Sequence, residues 1–171
     1  MKKILAISGS LRQGSSNHAI LTYLGSIVPA DIEYTIYNDL ALIPAFDPGL
    51  DTDTPPTSVV ALRQLLTDAD GLIICTPEYA FGVPGSLKNM LDWLVSSSTL
   101  VDKPVALITA SLGGEHAHAS LLLTLGALSA RLSDDTSLLI QFVRSKVGAD
   151  GTINADTVER LKSLLGAFLK R

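Results

Sequence analysis

The chain is expected to form an α/β three-layer sandwich whose five-stranded parallel sheet has the order 2-1-3-4-5. Three observations predict it. Strand-length apolar runs alternate with helix-period stretches from end to end, the pattern of a parallel sheet with helical crossovers. The runs Ile4–Ile7, Leu72–Thr76 and Val105–Thr109 are continuously apolar rather than alternating, as strands buried on both faces require. Each of the three opens into a loop rich in Gly, Ser or Pro. At 171 residues with 47% hydrophobic content the chain is expected to be one domain, 1–171, with a substantial core.

The first strand, Ile4-Leu5-Ala6-Ile7, leads into Gly9-Ser10-Leu11-Arg12-Gln13-Gly14-Ser15-Ser16-Asn17 and then a helix in which Ile20, Leu24, Ile27 and Val28 recur at helical spacing. Ile32–Tyr37 alternates with period two, which predicts an edge strand exposed on one side. Residues 38–56 hold four prolines and no periodicity, the composition of a long surface loop. Val59–Leu66 reads as the second helix. After the strand 72–76, the loop 77–86 precedes a third helix carrying Leu87, Met90, Leu91 and Leu94 at i, i+3, i+4 and i+7, with Pro84 as its opener.

The strand 105–109 runs into Ser111-Leu112-Gly113-Gly114 and a fourth helix with the stripe Leu121, Leu125, Leu128, Leu132. Leu122 and Leu123 lie off that stripe, which predicts a second covered face and hence a subunit contact. Ser137–Phe142 is the fifth strand, and Val158, Leu161, Leu165 and Phe168 mark the last helix. Order 2-1-3-4-5 follows because right-handed crossovers must cover both faces and the polar second strand belongs at an edge. Ligands in such sheets bind beyond the carboxyl ends of the strands, so the loops 9–17, 77–86 and 110–116 converge on one candidate site.

Residues 9–17 combine backbone amides, hydroxyls and one arginine at a helix start, a set suited to an anion. The same turn could merely cap the helix through Ser16 or Asn17. Ser15 stands where a nucleoside-triphosphate loop places lysine, and no G-x-G-x-x-G is present, which leaves a monophosphate as the best ligand. Pro77, Tyr79, Phe81 and Pro84 could lie against a flat heterocycle, or Tyr79 and Phe81 could simply anchor the loop on the core. Gly113 and Gly114 permit close backbone approach to a ligand, or make a tight turn. Phosphate at one loop and a planar ring between the others describe a mononucleotide.

The net charge of −4 argues against nucleic acid or an anionic membrane surface as partner. The N-terminal apolar run is too short for a secretory signal and no stretch is long enough to span a membrane, so the chain is expected in the cytoplasm. The single cysteine, Cys75, fits a reducing compartment and falls within a strand as a buried hydrophobe. A thiol phosphatase would need an arginine six residues on, where Phe81 stands. There is no G-x-S-x-G for a serine hydrolase, and no aspartate ends the third strand as a receiver domain requires. His116 and His118 lack the neighbours of a metal site, and His18, at a helix start, is expected to be solvated.

Gly9-Ser10-Leu11-Arg12 with Ser15 and Asn17, followed by Pro77-Glu78-Tyr79, Pro84, Leu87-Lys88-Asn89 and Asp92-Trp93, resembles the NADPH-dependent FMN reductase family of flavodoxin-like proteins, which includes small quinone, azo-dye and chromate reductases. The resemblance covers nearly the whole chain. It implies that Ser10, Arg12, Ser15, Ser16 and Asn17, with the Leu11 amide, bind the FMN phosphate. It also implies that Pro77, Glu78, Tyr79, Ala80 and Phe81 line the isoalloxazine, with Ser111, Gly113 and Gly114 at its other edge. Hydride from NADPH or NADH would pass through FMN to a small-molecule acceptor such as a quinone, an azo compound or free flavin, with no catalytic side chain required. Lys88, Asn89, Asp92 and Trp93 are expected to serve as scaffold or subunit interface, and the protein as a homodimer or homotetramer. The family usually has asparagine where this chain has Ala80, which removes a side-chain amide near the flavin or its substrate. The alternatives are an FMN-binding electron carrier without nicotinamide activity and a family member that binds no flavin.

Overall fold

A computed structural model describes residues 1–171. Strands β1 (Lys2–Ser8), β2 (Ile32–Tyr37), β3 (Gly71–Thr76), β4 (Val105–Ala110) and β5 (Ser137–Ile140) alternate with helices α1 (Ser16–Ile27), α2 (Thr57–Asp68), α3 (Gly85–Asp92), α4 (Glu115–Ala127) and α5 (Ala155–Leu169). The strands pair in the order β2-β1-β3-β4-β5, every neighbouring pair parallel. The expected architecture is therefore the observed one.

Because successive side chains of a strand face opposite sides, the central strands feed two apolar layers. Leu5, Ile7, Leu72, Ile74, Val105 and Leu107 pack with residues of α2, α3 and α4, among them Leu62, Leu66, Met90 and Leu121. Ile4, Ala6, Ile73, Cys75, Ala106 and Ile108 pack on the other face with Leu21 and Leu24 of α1 and Leu161 and Phe168 of α5. Each fully buried Leu or Ile contributes about 1.5–3 kcal/mol. The register Ser8↔Cys75, Thr76↔Thr109 and Ala110↔Ile140 ends the four strands at one rim, and that alignment sets their exit loops side by side.

Three expectations are corrected in detail. The fourth helix stops at Ala127, because Ser129 turns into the left-handed region at φ 57° and the Ala130 amide folds back onto the Leu125 carbonyl at 3.0 Å. Leu132 therefore lies past the helix, where Arg131 has already begun pairing with the start of β4 (Val105 N to Arg131 O, 3.0 Å). The fifth strand ends at Ile140 rather than Phe142, since Phe142 takes φ 52° and bends the chain across the rim.

The loop 38–56 is not purely a surface segment. It contains a 3-10 turn, Leu40–Leu42, and buries Leu40 and Ile43. Asn89 and Trp93 hold it: Asn89 Nδ2 and Trp93 Nε1 donate to the Pro44 carbonyl at 2.9 and 2.8 Å, and Asn89 Oδ1 accepts the Phe46 amide at 2.7 Å. Asn89 and Trp93 are thus scaffold, and Lys88 and Asp92 pair at 2.6 Å on the surface of the same helix.

Candidate active site

The loop after β1 is shaped by its own side chains. The Ser10 amide donates to Ser8 Oγ at 3.2 Å, and the Arg12 amide to Ser10 Oγ at 3.4 Å. Ser15, not Ser16 or Asn17, caps α1: its Oγ accepts the His18 amide at 3.2 Å, which leaves the hydroxyl proton free to donate. The amides of Leu11, Gln13, Gly14, Ser16 and Asn17 donate to no protein acceptor. Such a run of open donors at a helix start, with Arg12 alongside, is suited to an anion.

Gly9 is fixed by packing rather than by a ligand. A Cβ there would lie 2.2 Å from Thr76 Oγ1, so only glycine lets β1 leave the sheet beside β3. Asn17 is buried with both ends of its side chain occupied: Nδ2 donates to the Ala110 carbonyl at 3.4 Å and Oδ1 accepts the Cys75 thiol at 3.3 Å. It rivets the start of α1 to the ends of β3 and β4, and only its backbone amide faces a ligand freely. Burial pushes the Cys75 thiol well above its ordinary value; it is an inert hydrophobe with one weak donor.

The loop after β3 is a hairpin. Tyr79 and Gly82 exchange amide bonds at 3.0 and 2.9 Å, and the two residues between them, Ala80 and Phe81, both have positive φ, 49° and 59°. This is the turn that favours Asn and Gly at its corners. Position 80 therefore bears on turn strain: Ala80 is exposed at the tip and does not line the cavity described below. Phe81 is 77% exposed and meets the His116 ring edge-on, with centroids 5.0 Å apart.

Glu78 joins this loop to the one after β4. Its carboxylate accepts the Gly114 amide at 3.1 Å and the Ala117 amide at 2.8 Å, and its own amide donates to Ser111 Oγ at 3.2 Å. Gly114 supports the arrangement at φ 110°, where a side chain would be strained. One turn further along α4, His118 sits between Thr109 Oγ1 at Nδ1 (2.8 Å) and Ser137 Oγ at Nε2 (2.9 Å), and burial lowers its pKa.

Together the loops enclose a cavity of about 510 Å³. Of the sequence-predicted residues it gathers Ser10, Arg12, Ser15, Ser16, Asn17, Pro77, Glu78, Tyr79 and Ser111. Leu11 instead lines an adjoining cavity of about 420 Å³, which shares Ser10 and Arg12 and also includes His18. His18 is half-buried. Ala80, Phe81, Gly113 and Gly114 shape the rim without lining the cavity.

The sequence reading missed Phe142, Val143, Arg144 and Ser145, which close the cavity from beyond β5. Their signal was their place after a strand, since the exit loop of any strand in a parallel sheet opens on the same rim. The size lies within the range of ligand pockets. One end offers donors and a cation, and the other offers the exposed ring of Tyr79 beside Leu112 and Phe142. That polarity fits a flavin mononucleotide, phosphate at α1 and ring at the hairpin.

A 2-1-3-4-5 parallel sheet with a mononucleotide-sized anion cavity at its carboxyl rim defines a flavodoxin-like protein. Within that class the chain belongs to the NADPH-dependent FMN reductase family, which it matches over residues 2–143. It is 33% identical to a quinone reductase of Escherichia coli over 174 aligned residues, covering 97% of this chain and 93% of that one. It is 30% identical to an NAD(P)H-dependent FMN reductase of Pseudomonas aeruginosa, covering 93% and 88%. Among solved structures it is similar to the flavoenzyme NAD(P)H:acceptor oxidoreductase FerB of Paracoccus denitrificans, with a TM-score of 0.85, 26% identity and coverage of 99% and 96%.

Proposed function

We propose that residues 1–171 act as one FMN-binding domain that oxidises NADPH or NADH and reduces a small acceptor of the quinone type. The observation that carries the reading is the cavity at the carboxyl rim, with unpartnered amides and Arg12 at one end and an aromatic edge at the other. Bound FMN supplies the hydride-accepting and hydride-donating chemistry.

The chain's own residues bind, orient and shield. Ser10, Ser15 and Ser16 would offer hydroxyl donors to the phosphate, the amides of Ser16 and Asn17 would add to them, and Arg12 would neutralise charge. Pro77, Glu78 and Tyr79, with Ser111, would flank the ring. Ala80, Phe81, Gly113 and Gly114 hold the two loops that frame it. Leu112, Tyr79 and Phe142 exclude water from one side, and no side chain is assigned a proton-transfer role.

Two copies meet, in this reading, through α4, where Leu122 and Leu123 stand 40% and 78% exposed, giving a homodimer or homotetramer. The cytoplasm suits a buried lone thiol. No helix is long and apolar enough to cross a membrane.

The test is anaerobic mixing of the FMN-loaded protein with NADPH while the visible flavin band is followed, then addition of a benzoquinone. Bleaching by NADPH and return on quinone addition are expected. A band that persists under NADPH would identify an electron carrier fed by another protein. A preparation that stays colourless after FMN addition would remove flavin from the account.

A further inference from the structure

Arg144 stands one residue beyond the stretch that matches the family, on a 3-10 turn, Val143–Ser145. Two backbone bonds fix that turn to the loop after β4: the Val143 amide donates to the Ser111 carbonyl at 3.0 Å and the Phe142 amide to the Leu112 carbonyl at 3.0 Å. The carbonyl just before them, Ala110, receives Asn17 Nδ2 from the first turn of α1. Val143 and Val147 also share the apolar layer of Ile20 and Leu21. Arg144 is thereby carried to the start of α1, where Ser15 and Ser16 line the same cavity.

The charge balance there is unusual for an acidic protein. Neither Arg12 nor Arg144 takes part in any of the four ion pairs. The sole carboxylate lining the cavity, Glu78, has both oxygens on amides of α4 and its approach. Two arginines outside every ion pair thus line one concave space, which favours an anion of matching charge. A phosphate monoester carries about −1.5 to −2 at neutral pH, at least as much as Arg12 and a helix start of about +0.5 neutralise.

We propose, resting on the reading of this cavity as the FMN site, that Arg144 is a second cation on the flavin phosphate, acting with Arg12, and that this pair makes the site select phosphorylated flavin over riboflavin. A monoester has three terminal oxygens, so a guanidinium from each side can bind without competing for the same lone pairs.

The test titrates the full chain with FMN and with riboflavin, following quenching of flavin fluorescence, in the parent, Arg144→Gln and Arg144→Lys. Arg144→Gln is expected to weaken FMN about tenfold or more, leave riboflavin unchanged, and be partly rescued by lysine. Equal weakening of both flavins would show that Arg144 acts on the ring or the fold, and overturns the assignment. So does an unchanged FMN affinity, including the case in which KM rises for NADPH and not NADH. A parent protein that binds no FMN overturns the site reading itself, whereas a failure confined to the variants overturns Arg144 alone.

Discussion

The carboxylate of Glu78 and the amide of Gly114 meet at 3.1 Å, and through that bond the loop after β3 caps the helix after β4. The second oxygen takes the Ala117 amide at 2.8 Å. A side chain that the sequence assigns to the flavin edge therefore spends its charge on the helix start, where an anion is favoured. Glu78→Ala is expected to cost about 1–2 kcal/mol of stability and to loosen both loops, weakening FMN. Urea unfolding and FMN titration check both effects; an unchanged unfolding midpoint would refute the capping role.

Ala80 and Phe81 occupy adjacent left-handed positions between Tyr79 and Gly82, where an L residue is disfavoured by roughly 1 kcal/mol. Asparagine tolerates that region better. Ala80→Asn or Ala80→Gly should raise stability by about 0.5–1 kcal/mol, whereas Ala80→Val should lower it. Thermal melts of the three variants decide the matter, and a destabilised Ala80→Gly would contradict it.

The sheet order was legible because each central strand is apolar on both faces and β2 alternates, so burial alone dictates which strands lie inside. The proposed phosphate loop was legible for a similar reason: hydroxyls, glycines and Arg12 fall between a strand and a helix start. What sequence could not reveal depends on contacts across the rim. Asn17 belongs to the binding loop, yet its side chain serves Ala110 and Cys75. Arg144 follows an edge strand and reaches the cavity only because Phe142 turns left-handed and Val143 pairs with Ser111. No local pattern announces either event.

His118 predicts a pH effect. Burial between Thr109 and Ser137 depresses its pKa, whereas in the unfolded chain it titrates near 6.5. Below that value the unfolded state binds more protons, so stability is full above about pH 6.5 and falls as the pH drops through the folded pKa. His118→Asn, which keeps a partner for Thr109, should flatten this slope. Urea unfolding at pH 5 and pH 8 measures it; parallel slopes in parent and variant would exclude His118 as the source.

Leu123 is 78% exposed at the outer face of α4, too apolar a position to be explained by the core it does not touch. If two copies meet there, Leu123→Glu should shift the sedimentation coefficient toward the monomer at micromolar concentration, with little change in far-UV circular dichroism. A parent that already sediments as a monomer would rule the contact out.

Arg12 lines the cavity beside the start of α1, where the proposed site places the phosphate, and contacts none of the residues of the hairpin 79–82 through a hydrogen bond or ion pair. Its removal should therefore act on retention and leave the ring's surroundings alone. Arg12→Ala is expected to weaken FMN about tenfold or more, the scale of a lost charge-assisted bond, while the absorbance maximum of whatever flavin remains bound is unchanged. Flavin content after gel filtration and the visible spectrum are read on the same sample. Full retention would detach Arg12 from the phosphate. A shifted spectrum would mean that the guanidinium reaches the ring, which would place the flavin in the cavity the other way round.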